Sequence, residues 1–268
     1  MICFPNAKIN LGLSVTEKRA DGYHNIETVF YPVTLRDALE IIPSKGGNTE
    51  IQLSGLPVPG NGSENLCLKV YHLLEKDYHL PPVKIYLLKG IPVGAGLGGG
   101  SSDAANMIKL LNKTFSLNIS SEKMQDYARQ LGSDCAFFIE NKAVLAYERG
   151  DMFRKTDVDL SNYHIAIVKP PVHVSTVAAY AGIKPGKPIH TVEEVIHLPV
   201  SDWKGRLIND FENTVFAQYP EIKSIKERFY ALGAVYASMS GSGSAVYGLF
   251  NERVELKNLF PECFVWEG

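Results

Sequence analysis

Residues 94–105 read GAGLGGGSSDAA. Five of the first seven are glycine, and two serines follow. Each glycine costs folding entropy that a side chain would have spared. The run before it, VKIYLLKG (83–90), reads as a strand. After it, Ala104, Met107, Ile108 and Leu111 recur at helical spacing. A tight strand-to-helix turn needs one or two glycines. So many of them imply that something approaches the backbone closely. A glycine loop opening a helix is a physical anion site: its N–H groups point outward and the helix dipole favours negative charge. Ser101 and Ser102 add hydroxyl donors or a metal ligand. The plainer reading is a turn with Ser101 as N-cap, and the glycine count weighs against it.

The common phosphate loops do not fit. Gly94, Gly96 and Gly99 match GxGxxG, but a second helix follows the first, where a dinucleotide fold needs a parallel strand ending in an acid. No Gly-Lys-Ser/Thr follows, which excludes a Walker loop. The HRD and DFG elements of a protein kinase are absent.

With 268 residues, 45% hydrophobic and 21% charged, the chain is long enough for one large domain or two modest ones with a real core. A net charge of -2 gives no footprint for nucleic acid or an anionic membrane. Neither partner is expected. The cysteines, Cys3, Cys67, Cys135 and Cys263, form no CxxC pair and read as reduced thiols of a cytoplasmic protein. Asn6, Lys8 and Asn10 interrupt the first apolar run, so no signal peptide is expected there. No stretch of about 18 apolar residues is present to span a membrane.

Further strands are expected at KINLGLSV, IETVFYPV, ALEIIP, TEIQLSG, HIAIVKP, AVYASMS, SAVYGLF and CFVWEG. ENLCLKVYHLLEKDY reads as a helix, and another around Met124 to Leu131 is expected to end at Gly132. CAFFIENKAVLAYERG reads as a hairpin turning near Glu140-Asn141-Lys142, with Asp134 directly before its first strand. Later helices are expected near 175–181, 191–197, 220–232 and 254–259. The polar stretch 150–163 marks a domain boundary. Strands and helices mix without a strict βαβ rhythm, which predicts α+β sandwiches in both halves.

Three other islands stand out. FPNAKINLGL (4–13) carries Lys8 in an apolar strand, either as edge protection or as a charge aimed into a site. LGSDCAFFIE (131–140) carries Asp134, a turn former or a base. SMSGSGSAVYGLF (238–250) is a second glycine–serine turn. Together with PVGAGLGGGSSDAA, these islands resemble the three motifs of the GHMP kinases, small-molecule kinases named for galactose, homoserine, mevalonate and phosphomevalonate. The extra glycine, AKINLGL, DGYH and GSDCAFF are most similar to the branch that acts on a cytidine-diphosphate-linked alcohol. The resemblance runs from Pro5 to Phe250.

The resemblance implies a two-domain α+β fold, with a nucleotide-binding domain over 1–155 and a second over 156–268. The first would be a mixed β-sheet with helices, the second a ferredoxin-like α/β sandwich, with the site in the cleft between them. It implies ATP-dependent phosphorylation of the 2-hydroxyl of 4-diphosphocytidyl-2-C-methyl-D-erythritol, in the non-mevalonate isoprenoid pathway. ATP would lie against Pro92, Val93, Gly94, Ala95, Gly96, Leu97, Gly98, Gly99, Gly100, Ser101 and Ser102. Asn65 and Lys69 match the family's adenine contacts, or else form a solvated helix face, and Lys89 is placed to reach the nucleotide. Mg²⁺ is expected with ATP, with Ser102 a candidate ligand. The catalytic pair maps to Lys8 and Asp134: Asp134 to take or orient the substrate hydroxyl, Lys8 to stabilise transferring charge. Tyr23 and Tyr180 would sandwich the cytosine, and His24 would read its edge. Asn10 and Thr176 would help place the alcohol and diphosphate. Without a ligand, Tyr23 would be a loop aromatic and His24 a surface histidine. The second glycine–serine turn is expected to pack beside the phosphate loop as scaffold, and NDFENTV (209–215) reads as core. A homoserine or mevalonate kinase is the alternative, disfavoured by DGYH; so is a non-catalytic regulator, disfavoured by Lys8 and Asp134. The oligomeric state stays open between monomer and homodimer.

Overall fold

Strand Val83–Lys89 alternates buried and exposed residues along its whole length, so Val83, Ile85, Leu87 and Lys89 face inward. The sequence that ends this strand in an inward lysine also begins the glycine loop. The computed structural model describes residues 1–44, 46–59 and 64–268. In chain order the strands are β1 (Ile2–Cys3), β2 (Asn6–Lys18), β3 (His24–Arg36), β4 (Ala38–Pro43), β5 (Glu50–Gly55), β6 (Val83–Lys89), β7 (Val144–Glu148), β8 (Met152–Lys155), β9 (His164–Lys169), β10 (Tyr236–Met239), β11 (Val246–Phe250) and β12 (Phe264–Glu267). The helices are α1 (Leu66–Tyr78), α2 (Gly99–Phe115), α3 (Ser121–Arg129), α4 (Phe137–Glu140), α5 (Thr176–Ala181), α6 (Val192–Ile196), α7 (Phe211–Gln218) and α8 (Pro220–Ala231). A 3₁₀ turn covers Val200–Asp202.

The chain divides into two compact units. One holds Met1–Ala7, Thr34–Val93 and Gly98–Lys142; the other holds Lys8–Val33, Gly94–Leu97 and Ala143–Gly268. These units are discontinuous, so they do not follow a single cut near residue 155.

The first unit is built on a mixed sheet of order β1-β4-β6-β5, with β5 parallel to β6 and the other pairs antiparallel. Helix α2 packs on β4 and β1 and against α1, α3 and α4. Its buried stripe, Ala104, Met107, Ile108 and Leu111, is the one its spacing predicts. Local signals set the helix ends. The Asn65 side chain accepts from Cys67 N at the start of α1, and Ser120 accepts from Lys123 N at the start of α3.

The second unit contains an antiparallel sheet of order β10-β11-β9-β12. Helix α8 packs on β10 and β11 and on α7, giving the expected ferredoxin-like sandwich. Phe229 on α8 is fully buried against Phe250 of β11 and Phe260. Most of β2 and β3 lies in this unit, in a sheet of order β2-β3-β7-β8. A parallel bridge from Leu13 to Asn209 ties β2 to the segment before α7.

Several expectations are corrected. The hairpin's first arm is absent: Phe137–Glu140 is the helical turn α4, and Asn141 stops it at φ 56°. Asp134 therefore precedes a helix, not a strand. The apolar run Cys135–Ile139 is buried throughout, and such a short run carries no periodicity that separates strand from helix. Helix α3 ends at Arg129 with Gln130 as its C-cap, three residues before Gly132 is reached. Residues 254–259 form no helix; Leu256 accepts turn bonds from Leu259 and Phe260 instead. Helix α2 begins at Gly99 with Gly98 in the N-cap position, so Ser101 lies inside the first turn. NDFENTV is core as expected, with Asn209, Phe211, Glu212 and Val215 buried; it also supplies most of α7, a helix without a predicted boundary.

Candidate active site

The loop after β6 is gripped by its carbonyl groups. Ala245 N donates to Ala95 O at 3.1 Å, Ser240 Oγ to Gly96 O at 2.8 Å, and Lys8 N to Leu97 O at 2.9 Å. A trans peptide points its carbonyl and the next N–H in opposite directions. The N–H groups of Gly96, Leu97 and Gly98 are therefore turned away from these three partners. Next, Ser102 N donates to Gly98 O at 2.9 Å, the first bond of α2. That leaves the N–H groups of Gly99, Gly100 and Ser101 without an intrahelical acceptor, and the N-cap residue, Gly98, has no side chain to cap them.

The glycines divide by cause. Gly94, Gly96 and Gly98 have φ of 64°, 77° and 69°, a region that side chains resist. A Cβ on Gly96 would also lie 1.9 Å from Ser240 O. A Cβ on Gly99 would lie 2.9 Å from Ile91 Cγ2. Gly100 has neither reason. It is exposed, helical, and its Cβ would meet only Leu66 Cδ1 at 3.8 Å. Glycine there costs about 1 kcal/mol of helix stability relative to alanine.

Lys8 lies on β2, 3% exposed. Its ammonium donates to Asn10 Oδ1 and sits 4.8 Å from the centre of the Phe30 ring. Asn10 is also buried. Its Nδ2 donates to Thr28 Oγ1 at 3.1 Å, and its backbone N donates to Ser240 Oγ at 3.2 Å. The expected substrate contact Asn10 is thus engaged with Lys8 and the scaffold around it. Asp134 is half-buried between α3 and α4. Beside it, burial raises the Cys135 thiol to about 11, against the hydrogen bond from Ser101. That thiol is not a nucleophile at neutral pH.

Among the aromatic residues, His24 stacks on Tyr180 with ring centres 4.6 Å apart and planes at 19°. Tyr180 also meets Phe211 edge-on at 4.7 Å. Tyr23 stands apart, 57% exposed, with the Arg149 guanidinium 5.4 Å from its ring. Tyr180 is thus stacked with His24, whereas Tyr23 is beside Arg149. Thr176 Oγ1 is 3.2 Å from Ser242 Oγ. Asn65 serves as the N-cap of α1, and Lys69 is exposed on the same helix. Ser102 is fully buried, its Oγ 3.4 Å from Asn106 Nδ2.

Lys89 does not reach outward. It is buried between Asp37 and Asp103, donating to Oδ2 of each. Asp37 Oδ1 accepts from the N–H groups of Gly90 and Ile91 at 2.6 and 2.8 Å. Burial pushes the Asp103 carboxyl up to about 8, against the pull of Lys89. Burial also works to lower Lys89, but the two carboxylates hold it above its ordinary value. This trio fixes the entry to the loop and the first turns of α2.

The second glycine–serine turn packs beside the loop, as expected. Ser240 and Ala245 hold its carbonyls, and a Cβ on Gly241 would lie 3.3 Å from Gly96 Cα. The NDFENTV segment pins this turn in place. Asn209 Nδ2 donates to Met239 O and Gly241 O at 2.8 and 2.9 Å, and Glu212 Oε1 accepts from Ser238 Oγ and Met239 N at 3.0 and 2.9 Å. Thr28, Ser240, Asp37 and Asp103 had no assigned role in the sequence. Only Ser240 carried a signal, as a serine of the second glycine–serine turn.

The GHMP kinases N terminal domain matches residues 65–142, and the GHMP kinases C terminal domain matches residues 199–261. A Bacteroides fragilis protein named 4-diphosphocytidyl-2-C-methyl-D-erythritol kinase is 54% identical over 270 residues, covering 100% of this chain and 98% of that protein. This chain belongs to the GHMP kinase family. A crystal structure of 4-(cytidine 5'-diphospho)-2C-methyl-D-erythritol kinase superposes with a TM-score of 0.81 at 31% identity, covering 100% of this GHMP kinase and 98% of the other chain. A mevalonate kinase structure, at 16% identity and a TM-score of 0.70 over 100% of this chain and 98% of its own, shares the fold.

Proposed function

We propose that this chain transfers the γ-phosphoryl group of ATP to the 2-hydroxyl of 4-diphosphocytidyl-2-C-methyl-D-erythritol. The observation that carries the phosphate reading is Gly100, a helical glycine with room for a side chain and no structural need to lack one. The substrate comes from the name of relatives aligned over the whole chain.

The segment from Gly94 to Ser102 takes the ATP phosphates on backbone N–H groups. The positive end of α2 favours their charge, worth about 0.3–1 kcal/mol even at an exposed site. Among the described residues there is no cluster of three or more His, Cys, Asp or Glu side chains that could hold a metal ion. Mg²⁺ would come with ATP and would supply neutralising charge to its phosphates. The buried Ser102 hydroxyl stays with Asn106.

Phosphoryl transfer passes through a loose transition state, so positioning and charge stabilisation do most of the work. Asp134 orients the 2-hydroxyl and takes its proton as the bond to phosphorus forms. Lys8 supplies fixed positive charge to the transferring group. The cytosine stacks on Tyr23, and His24, braced by Tyr180, reads its edge. Thr176 and Asn10 complete the placement of the alcohol, Asn10 by holding Lys8. The four free cysteines fit a cytoplasmic enzyme. No helix among the described residues is long and apolar enough to cross a membrane.

The test is ADP release from Mg-ATP with 4-diphosphocytidyl-2-C-methyl-D-erythritol, homoserine or mevalonate as acceptor. Turnover confined to the cytidine compound is expected. Turnover of another alcohol instead would overturn the substrate assignment while keeping the kinase.

A further inference from the structure

We propose that Thr28 is a positioning residue, which fixes the orientation of the Asn10 amide and through it the direction of the Lys8 ammonium. The inference rests on the reading of Lys8 as catalytic. It follows from counting protons along one buried chain of groups.

Thr28 is fully buried on β3. Its hydroxyl donates to Gly12 O, a carbonyl that can only accept. A hydroxyl has one proton, so Thr28 Oγ1 meets any other neighbour as an acceptor. The neighbour is the Asn10 side chain. Asn10 must therefore turn its NH₂ toward Thr28, which leaves its Oδ1 for the Lys8 ammonium. Amide orientation is decided by such networks, because nitrogen and oxygen have nearly the same shape. The flipped amide would set two donors facing each other at Lys8 and two acceptors facing each other at Thr28. In a buried site both mismatches leave polar groups unpaired.

The rest of Asn10 is held as well. Tyr247 OH donates to Asn10 O at 2.9 Å, and Asn10 N donates to Ser240 Oγ at 3.2 Å. The backbone is thus fixed by two groups, and the remaining freedom is rotation of the amide. At the oxygen end the Lys8 ammonium and, at 3.5 Å, Ser240 Oγ face Oδ1; at the nitrogen end Thr28 Oγ1 holds the NH₂. Valine at position 28 would keep the shape and lose the acceptor, leaving the Asn10 NH₂ unpaired in a buried site, so the amide would swing from its place and carry Oδ1 and the Lys8 ammonium with it.

The experiment measures kcat, the KM for ATP and the thermal midpoint for Thr28→Val, Thr28→Ser, Asn10→Ala, Lys8→Met and the double variant Thr28→Val/Asn10→Ala. Thr28→Val should lower kcat at least tenfold and leave the KM for ATP within about twofold. Thr28→Ser, which keeps the hydroxyl, should restore kcat to within about threefold of wild type. In the Asn10→Ala background, adding Thr28→Val should change kcat by less than about twofold. If the valine variant does not fold, Thr28→Ala against Thr28→Ser differs by the same hydroxyl and should show the same split. Equal losses for the hydroxyl and non-hydroxyl variants, or a full additional loss in the Asn10→Ala background, would overturn the inference. If Lys8→Met loses activity while Thr28→Val turns over at the wild-type rate, this inference fails alone. Wild-type turnover in Lys8→Met overturns both it and the catalytic reading of Lys8.

Discussion

The two glycine-rich turns look alike in the sequence but differ in what demands their glycines. In the second turn, Gly241 and Gly243 have φ of 55° and 88°, and a Cβ on Gly243 would lie 2.7 Å from Met239 Sδ. Backbone shape and packing account for both. In the first turn, Gly94, Gly96 and Gly98 are explained by positive φ and Gly99 by packing, but Gly100 is left over. The lesson is that a count of glycines does not separate a scaffold from a ligand cradle. The glycine that the fold does not need is the informative one.

The comparison makes a graded set of expectations. Gly96→Ala should have the largest effect, because its Cβ would sit 1.9 Å from a backbone oxygen. A loss of more than about 3 kcal/mol in urea unfolding is expected from the strain and overlap together. A loss under about 1 kcal/mol would break the packing side of the contrast. Gly243→Ala should cost less, about 1–3 kcal/mol, since the Met239 side chain it meets can move. If its stability loss equals that of Gly96→Ala, the two turns are not as different as their contacts imply. Gly100→Ala should leave stability unchanged or raise it by up to about 1 kcal/mol, while raising the KM for ATP about tenfold. An unchanged KM would remove Gly100 from the phosphate site. The smallest effect belongs to Lys69→Ala, an exposed side chain: a change in the KM for ATP of about threefold at most, whereas a tenfold rise would make it a principal adenine contact.

Much of this was legible in the sequence. The strand, loop and helix around residues 83–115 follow from alternation, glycine density and helical spacing, all local signals. The same holds for β9 to β12 and α8. What was hidden depended on distant partners. Lys89 reads as a lysine next to a phosphate loop, but Asp37 and Asp103, 52 and 14 residues away, bury it. Thr28 is an ordinary strand residue until Gly12 and Asn10 are placed beside it. The run Cys135–Ile139 is too short and too uniformly apolar to show a period, so its sequence predicts a strand where α4 forms. The family pattern points to Tyr23, His24 and Tyr180, yet the stacking of His24 on Tyr180 depends on a contact across more than half of the sequence.

The most direct measurement is turnover of 4-diphosphocytidyl-2-C-methyl-D-erythritol with Mg-ATP, wild type beside Asp134→Ala. Alcohol-dependent ADP release is expected from the wild type, falling about 10²–10⁴-fold in the variant. ADP release that does not require the alcohol, or an Asp134→Ala enzyme as fast as the wild type, would contradict the account.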